Sequence, residues 1–343
     1  MASLNPVSVM AENQEINRSS APKGALGFAF GAVGLWATNA AVGKTLLAEY
    51  PVSHVQFLQF CGAALVFALI RLFPSPLAGE VGSPGAEADG SSAAPGRLLL
   101  QGEKERPALT AYVVGFIGLV GTMMLQYIAF ASMPVIEANL VAYTWPLMLA
   151  AAVIVFGRPR RPLLLALAAM AGFVGVALVM SGGRTHSWFE RAWFEGGSLA
   201  GYCAAFGSAL CMAFYSLVVG RLGVAPERLL LPSALAGIAL TFAWCLYDGV
   251  ALPAAVDLLL GLYLGAGPMG LGYYCWSRAA KLDRGGRIAI VAYLTPIAST
   301  FLLALSGESL SRTAIAGAVL VIGSCLAVGI EGMEAKDDAQ DDG

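Results

Sequence analysis

Long apolar stretches separated by short polar or charged links make up most of this chain. A helix of about 20 apolar residues matches the hydrocarbon thickness of a bilayer, and the pattern predicts ten of them. They fall at 24–47, 52–73, 108–131, 134–156, 162–182, 197–220, 228–247, 255–277, 286–306 and 312–331. Residues 1–22 and the acidic segment 332–343 read as disordered tails, and 74–107, rich in Pro, Gly, Ser and Ala, as a flexible loop. Between the fifth and sixth spans, 183–196 interleaves Trp188, Phe189, Trp193 and Phe194 with Glu190, Arg191 and Glu195. That suits a short helix lying at the outer interface.

The second half echoes the first. Val291-Ala292-Tyr293-Leu294-Thr295-Pro296 aligns with Val141-Ala142-Tyr143-Thr144-Trp145-Pro146 at an offset of 150. Gly115 and Gly265, Ala129 and Ala279, and Gly157 and Gly307 match at the same offset. Gly43-Lys44 resembles Gly220-Arg221 at an offset of 177, and the surplus in the first half corresponds to the 74–107 loop. The economical reading is an all-α polytopic membrane protein of two five-helix repeats, 24–182 and 197–331. Five is odd, so the second repeat enters the membrane inverted. A proline removes a backbone donor and breaks the helical ladder, which a membrane protein tolerates where the break is buried or lines a cavity. The matched prolines therefore mark a central binding site, a packing kink being the alternative.

Composition narrows the class. Hydrophobic residues make up 58%, mean hydropathy is +0.72 and only 12% are charged, against about 25% charged in soluble domains. The near balance of 20 basic and 22 acidic residues argues for no nucleic-acid partner; the partners are the bilayer and a small molecule, with a monomer expected and an oligomer left open. Six cysteines in apolar segments without CxxC spacing suggest neither a disulfide framework nor a metal cluster, and no cofactor is implied. The polar N-terminal segment lacks a signal-peptide core. With the N-terminus inside, all Lys and Arg except Lys44, Arg184, Arg191 and Arg312 fall on the cytoplasmic side. The positive-inside rule then puts both ends in the cytoplasm.

No Lys, Arg, Asp or Glu stands in the middle of a span, where one costs about 2.5–3.5 kcal/mol. A lipophilic-cation exporter would want a buried carboxylate, and a phosphate carrier buried cations. The expected cargo is neutral or zwitterionic, with an apolar portion. Candidate binding residues are Trp36, Thr38 and Asn39 in the first span; Tyr143, Trp145 and Pro146 in the fourth; Tyr274 and Trp276 in the eighth; and Tyr293, Thr295 and Pro296 in the ninth. Gln56, Gln59, Gln126, Tyr127, Asn139, Tyr215, Ser216, Tyr273, Ser299 and Thr300 are further polar or aromatic positions. Aromatic walls with a few amides and hydroxyls suit a small-molecule pocket, although Tyr and Trp also pack between helices. Glu137 falls in the first turn of the fourth span, where the helix dipole favours a carboxylate; a coupling or gating role is the second reading. Its repeat partner is Arg287. His54 and His186 are placed near the outer surface with no role.

Gly34-Leu35-Trp36-Ala37-Thr38, the IExxxVxYxWP pattern over Ile136–Pro146 and the YxTP pattern of Tyr293-Leu294-Thr295-Pro296 carry a resemblance. They are similar to motifs of the drug/metabolite transporter (EamA-type) superfamily, and within it of the YddG-like branch of aromatic amino acid exporters. The resemblance covers about residues 24–331 and implies a bacterial inner (plasma) membrane exporter working by alternating access through a cavity between the repeats. It further implies aromatic or neutral amino acids and related metabolites as cargo. Two departures stand out: no arginine lies near Gln59, and the 74–107 loop is long. Alternatives are a broader-specificity metabolite or drug exporter, or a proton-coupled antiporter using Glu137. An enzyme is not expected, since there are two histidines and no HExxH, GxSxG or paired buried carboxylate. A channel would need a charged ring or a carbonyl filter, and neither pattern is present.

Overall fold

In a computed structural model the described residues are 24–73, 109–157, 161–181, 198–249, 253–283, 288–305 and 312–341, and all their regular elements are helical. The predicted tail 1–22, loop 74–107, connector 183–196 and Arg287 lie outside them. Eight helices among the described residues are long and apolar enough to cross a membrane. We number them α1 (Gly24–Leu47), α2 (Val52–Leu72), α3 (Leu109–Ser132), α4 (Val135–Phe156), α5 (Pro162–Met180), α6 (Leu199–Val219), α7 (Pro226–Asp248) and α8 (Ala255–Leu282). Two more apolar helices follow: α9, in two pieces Ile288–Val291 and Leu294–Leu305, and α10, Arg312–Asp341. The chain is a polytopic all-α membrane protein. Large apolar side chains such as Leu163, Leu240 and Val319 remain exposed on its outside, as a lipid-facing surface requires.

Local chemistry sets the ends and breaks. The Ser198 hydroxyl caps α6 by accepting from Gly201 N at 3.0 Å, and α7 opens with Pro226 in its first turn, where the missing N–H costs nothing. Inside α4 the helix stops at Ala142 and resumes at Trp145. Ala142 is the residue whose carbonyl the ring of Pro146 would strike, four positions back. In α9 the first piece ends at Val291, immediately before Ala292, which stands in the same relation to Pro296. A third interruption, at Ala37–Thr38 of α1, has no proline and was not predicted. There the Thr38 hydroxyl donates to Leu35 O at 2.9 Å, a local bond that competes with the helical ladder.

Two further irregularities match across the halves. α3 widens into a π-helical turn over Phe116–Gly121 and α8 over Gly265–Leu271. Gly115 immediately precedes the first and the matched Gly265 opens the second, and each glycine takes a helix of the other half. A Cβ on Gly115 would lie 2.7 Å from Leu229 O of α7, while one on Gly265 would strike the Gln59 carbonyl of α2. α2 also packs along α7, and α5 along α10, where a Cβ on Gly175 would lie 2.7 Å from Gly317 O.

Two boundaries differ from the sequence reading. α8 continues past 277 to Leu282, which brings Arg278 into its last turns, 7% exposed, rather than into a loop. α10 continues past 331 to Asp341. The segment predicted as a disordered tail is helical there, the good helix formers Glu334, Ala335, Lys336 and Gln340 continuing the helix past Gly332.

Candidate functional site

Five aromatic side chains from α1, α4, α6 and α8 meet at the interior. Trp276 is fully buried. It lies 5.4 Å from Trp36 between ring centroids and 5.2 Å from Trp145, the latter edge-on at 86°. Tyr273 approaches Trp36 at 6.0 Å and Tyr215 at 5.8 Å. Edge-to-face and tilted pairs of this kind add about 0.5–1.5 kcal/mol each beyond area burial. Polar tips fix the rings. Trp276 Nε1 donates to Ser216 Oγ at 2.9 Å. Ser277 Oγ donates to Tyr273 O at 2.5 Å, so the 2.6 Å contact between Tyr215 OH and Ser277 Oγ has Tyr215 as donor.

The π-helical turns seat two of these rings. In α8 the Gly272 N–H reaches back five residues to Gly267 O, and the Pro268 carbonyl accepts from Trp36 Nε1 at 3.0 Å. The matching turn of α3 carries Gly118, the repeat partner of Pro268, and Tyr215 lies on it; a Cβ there would sit 2.7 Å from that of Tyr215. The first helix of each half thus wedges an aromatic ring onto the widened third helix of the other half. Sequence reasoning missed these turns. The available signals were Gly115 matching Gly265 and Pro268 inside an apolar span.

The helix breaks stand next to each other. Tyr143 OH lies beside the Thr295 hydroxyl, and Tyr293 OH beside the Leu147 backbone. Thr295 Oγ1 and Tyr293 OH are buried without a well-formed hydrogen bond. Pro146 and Pro296 are both buried. Tyr293 also packs on Gly172 of α5, where a Cβ would lie 2.8 Å from its Cε2.

Other predicted residues go elsewhere. Asn39 Oδ1 accepts from Tyr127 OH at 3.0 Å, which in turn accepts from Gln59 Nε2, and Gln59 Oε1 accepts from Gln56 Nε2. Both glutamines are fully buried, a polar string of α1, α2 and α3 separate from the aromatic group. Thr38 Oγ1 is 2.9 Å from Tyr263 OH. Tyr274 turns towards Arg278 and Glu227 rather than to Trp276. Trp36, Trp145 and Trp276 are therefore brought together directly, and Tyr143 joins Thr295.

Carboxylates near the ends are held by hydroxyls. Glu137 Oε2 accepts from Tyr202 OH at 2.6 Å. Asp257 Oδ2 accepts from Tyr50 OH at 2.9 Å and Asp248 Oδ2 from Ser53 Oγ at 2.6 Å. His54, 6% exposed, has its Nδ1 3.1 Å from Ser53 Oγ. The Ala254 N–H bonded to the Tyr50 oxygen lowers the phenol's pKa, but the Asp257 carboxylate that takes its proton, desolvation and the nearby Glu49 charge together outweigh it and leave it above the usual value.

Comparison with known proteins gives concordant results. Residues 199–330 match the EamA-like transporter family. An aromatic amino acid exporter, YddG, from Ancylobacter novellus is 30% identical over 221 residues, which cover 63% of this chain and 75% of that protein. A crystal structure of another protein superposes with a TM-score of 0.70 at 22% identity, covering 92% of this chain and 99% of the other; it supports the fold alone.

Proposed function

We infer the cargo from one premise: the chain belongs to the EamA-like transporter family, in its YddG-like branch, and is a membrane transporter and not an enzyme. The proposed activity is export of aromatic and other neutral amino acids and related metabolites across the bacterial inner membrane. The observation that carries it is the group Trp36, Trp145 and Trp276, drawn from both halves beside the paired breaks of α4 and α9. A Phe-sized side chain buried there gains about 1.5–3 kcal/mol, weak enough for release. The zwitterion is met by two helix N-termini, at Trp145 and Leu294, and by the Thr295 hydroxyl.

The architecture proposed for this task is ten spans in two inverted repeats, 24–182 and 197–331, with both ends cytoplasmic and alternating access through an uncharged cavity between the repeats. The twin π-helical turns, the twin breaks and the pairing of α2 with α7 and α5 with α10 favour that symmetry. Facilitated diffusion is the proposed energetics, because Glu137 is the acceptor of a tyrosine hydroxyl and no charge lies mid-span. Counterflow in proteoliposomes with labelled Phe, Trp, Thr, a cationic dye and a sugar phosphate tests the cargo. Saturable exchange of Phe and Trp is the expected result; preference for dye or phosphate would overturn it.

A further inference from the structure

We propose that two hydroxyl–carboxylate bonds, Tyr50–Asp257 and Ser53–Asp248, clasp the outer end of the transporter shut, so that the protein rests closed to the outside. The inference rests on the orientation and alternating access proposed above. Tyr50 stands in the link between α1 and α2. Its OH donates to Asp257 Oδ2 in the first turn of α8 at 2.9 Å and accepts from Ala254 N at 3.2 Å. Ser53, fully buried in the first turn of α2, donates to Asp248 Oδ2 at the end of α7 at 2.6 Å. Both bonds join the first half to the second at the same end of the molecule. The Tyr202–Glu137 bond, of the same kind, joins α6 to α4 there. An ionised acceptor makes such bonds stronger than neutral ones.

The repeat separates these bonds from ordinary packing. In the middle of α2 and α7, Gly62, Ala64, Leu65, Phe67 and Ala68 recur as Gly237, Ala239, Leu240, Phe242 and Ala243, at an offset of 175. The carboxylates do not recur. At that offset Asp248 corresponds to Phe73, and at 150 Asp257 corresponds to Pro107 and Glu137 to Arg287. None of these side chains can accept a hydroxyl proton. An inverted repeat exchanges the two ends of the molecule, so two like ends would leave the two open states equal in energy. Bonds built at one end only favour the state in which that end is closed.

The other end is tied differently. Lys281 Nζ donates to Leu222 O at 2.6 Å and Asp283 Oδ2 accepts from Ile288 N at 2.8 Å, both within the second half. Across the halves Phe28 meets Arg278 by its ring face. Beneath the clasp sits a natural reporter. Cys245, one turn before Asp248, is 5% exposed and lies beside the Ser53 hydroxyl. Opening the outer end would uncover its thiol.

Two measurements on the full chain in proteoliposomes of defined orientation test this. The first is labelling of Cys245 by a membrane-impermeant thiosulfonate added outside, read by peptide mass spectrometry. Tyr50→Phe removes one bond of the clasp and should speed that labelling about fivefold or more, a charged hydrogen bond discounted for partial exposure. Asp257→Asn keeps an acceptor and should give a smaller change in the same direction. The second is the half-saturation concentration for phenylalanine from each side. A state populated only in part weakens apparent affinity by its fraction, so the outside value should be the higher in wild type and should fall in Tyr50→Phe. Unchanged Cys245 labelling in Tyr50→Phe, or equal half-saturation from both sides of wild type, overturns the proposal. If Tyr50→Phe does not reconstitute, Asp257→Asn and the wild-type comparison decide. Absence of phenylalanine counterflow in wild type would sink the cargo reading alone, because the labelling needs no cargo and decides the clasp by itself.

Discussion

Trp36 Nε1 donates to the Pro268 carbonyl at 3.0 Å, in the turn where Gly272 N–H has gone to Gly267 instead. An ordinary α-turn would offer that carbonyl to Gly272 itself. The local widening of α8 is thus what lets it hold a side chain of α1 by its backbone.

Gly272 is the tight point of that contact, since a Cβ there would lie 2.7 Å from Trp36 Nε1. Gly272→Ala should destabilise the protein by about 1–3 kcal/mol, the usual cost of overpacking, and Trp36→Phe in the same background should recover part of it. Thermal unfolding in detergent reads both.

Trp276 is fully buried and bridges Trp36 and Trp145. Trp276→Ala would leave a cavity costing about 3–5 kcal/mol, so Trp276→Phe is the informative variant for transport. We expect a higher KM for Trp and Phe with little change for Thr, measured by counterflow.

Pro146→Ala supplies an N–H to the turn that ends at Ala142. α4 should become more regular, with slower amide exchange at Tyr143 and Thr144 and slower transport. Faster or unchanged counterflow would show that the break is packing alone.

Glu137→Gln keeps an acceptor for Tyr202 OH, now 2.6 Å from the carboxylate. Transport and its pH dependence should stay as in wild type. A flattened pH profile in this variant would make Glu137 the coupling group.

The run lengths of apolar residues were enough to locate the helices, and Pro146 and Pro296 located two breaks, because hydropathy and a missing N–H act locally. The break at Thr38 was hidden: threonine is common in apolar helices, and its bond to Leu35 O is a choice made by context. The π-helical turns were hidden for the same reason, since Gly115 and Gly265 reveal a close approach only once α7 and α2 are in place. Within the candidate site, Trp36, Trp145 and Trp276 were legible from type and position. The diversion of Asn39 to Tyr127 and of Tyr274 to Arg278 depends on helix rotation, which a nearly uniform apolar sequence does not encode.

Along α5 and α10 the chains touch main chain to main chain, Gly175 against Gly317. No side chain at that point can rotate aside to let one strut slide along the other. If transport follows the alternating access proposed above, α5 and α10 would turn on each other at this close contact rather than slide along it.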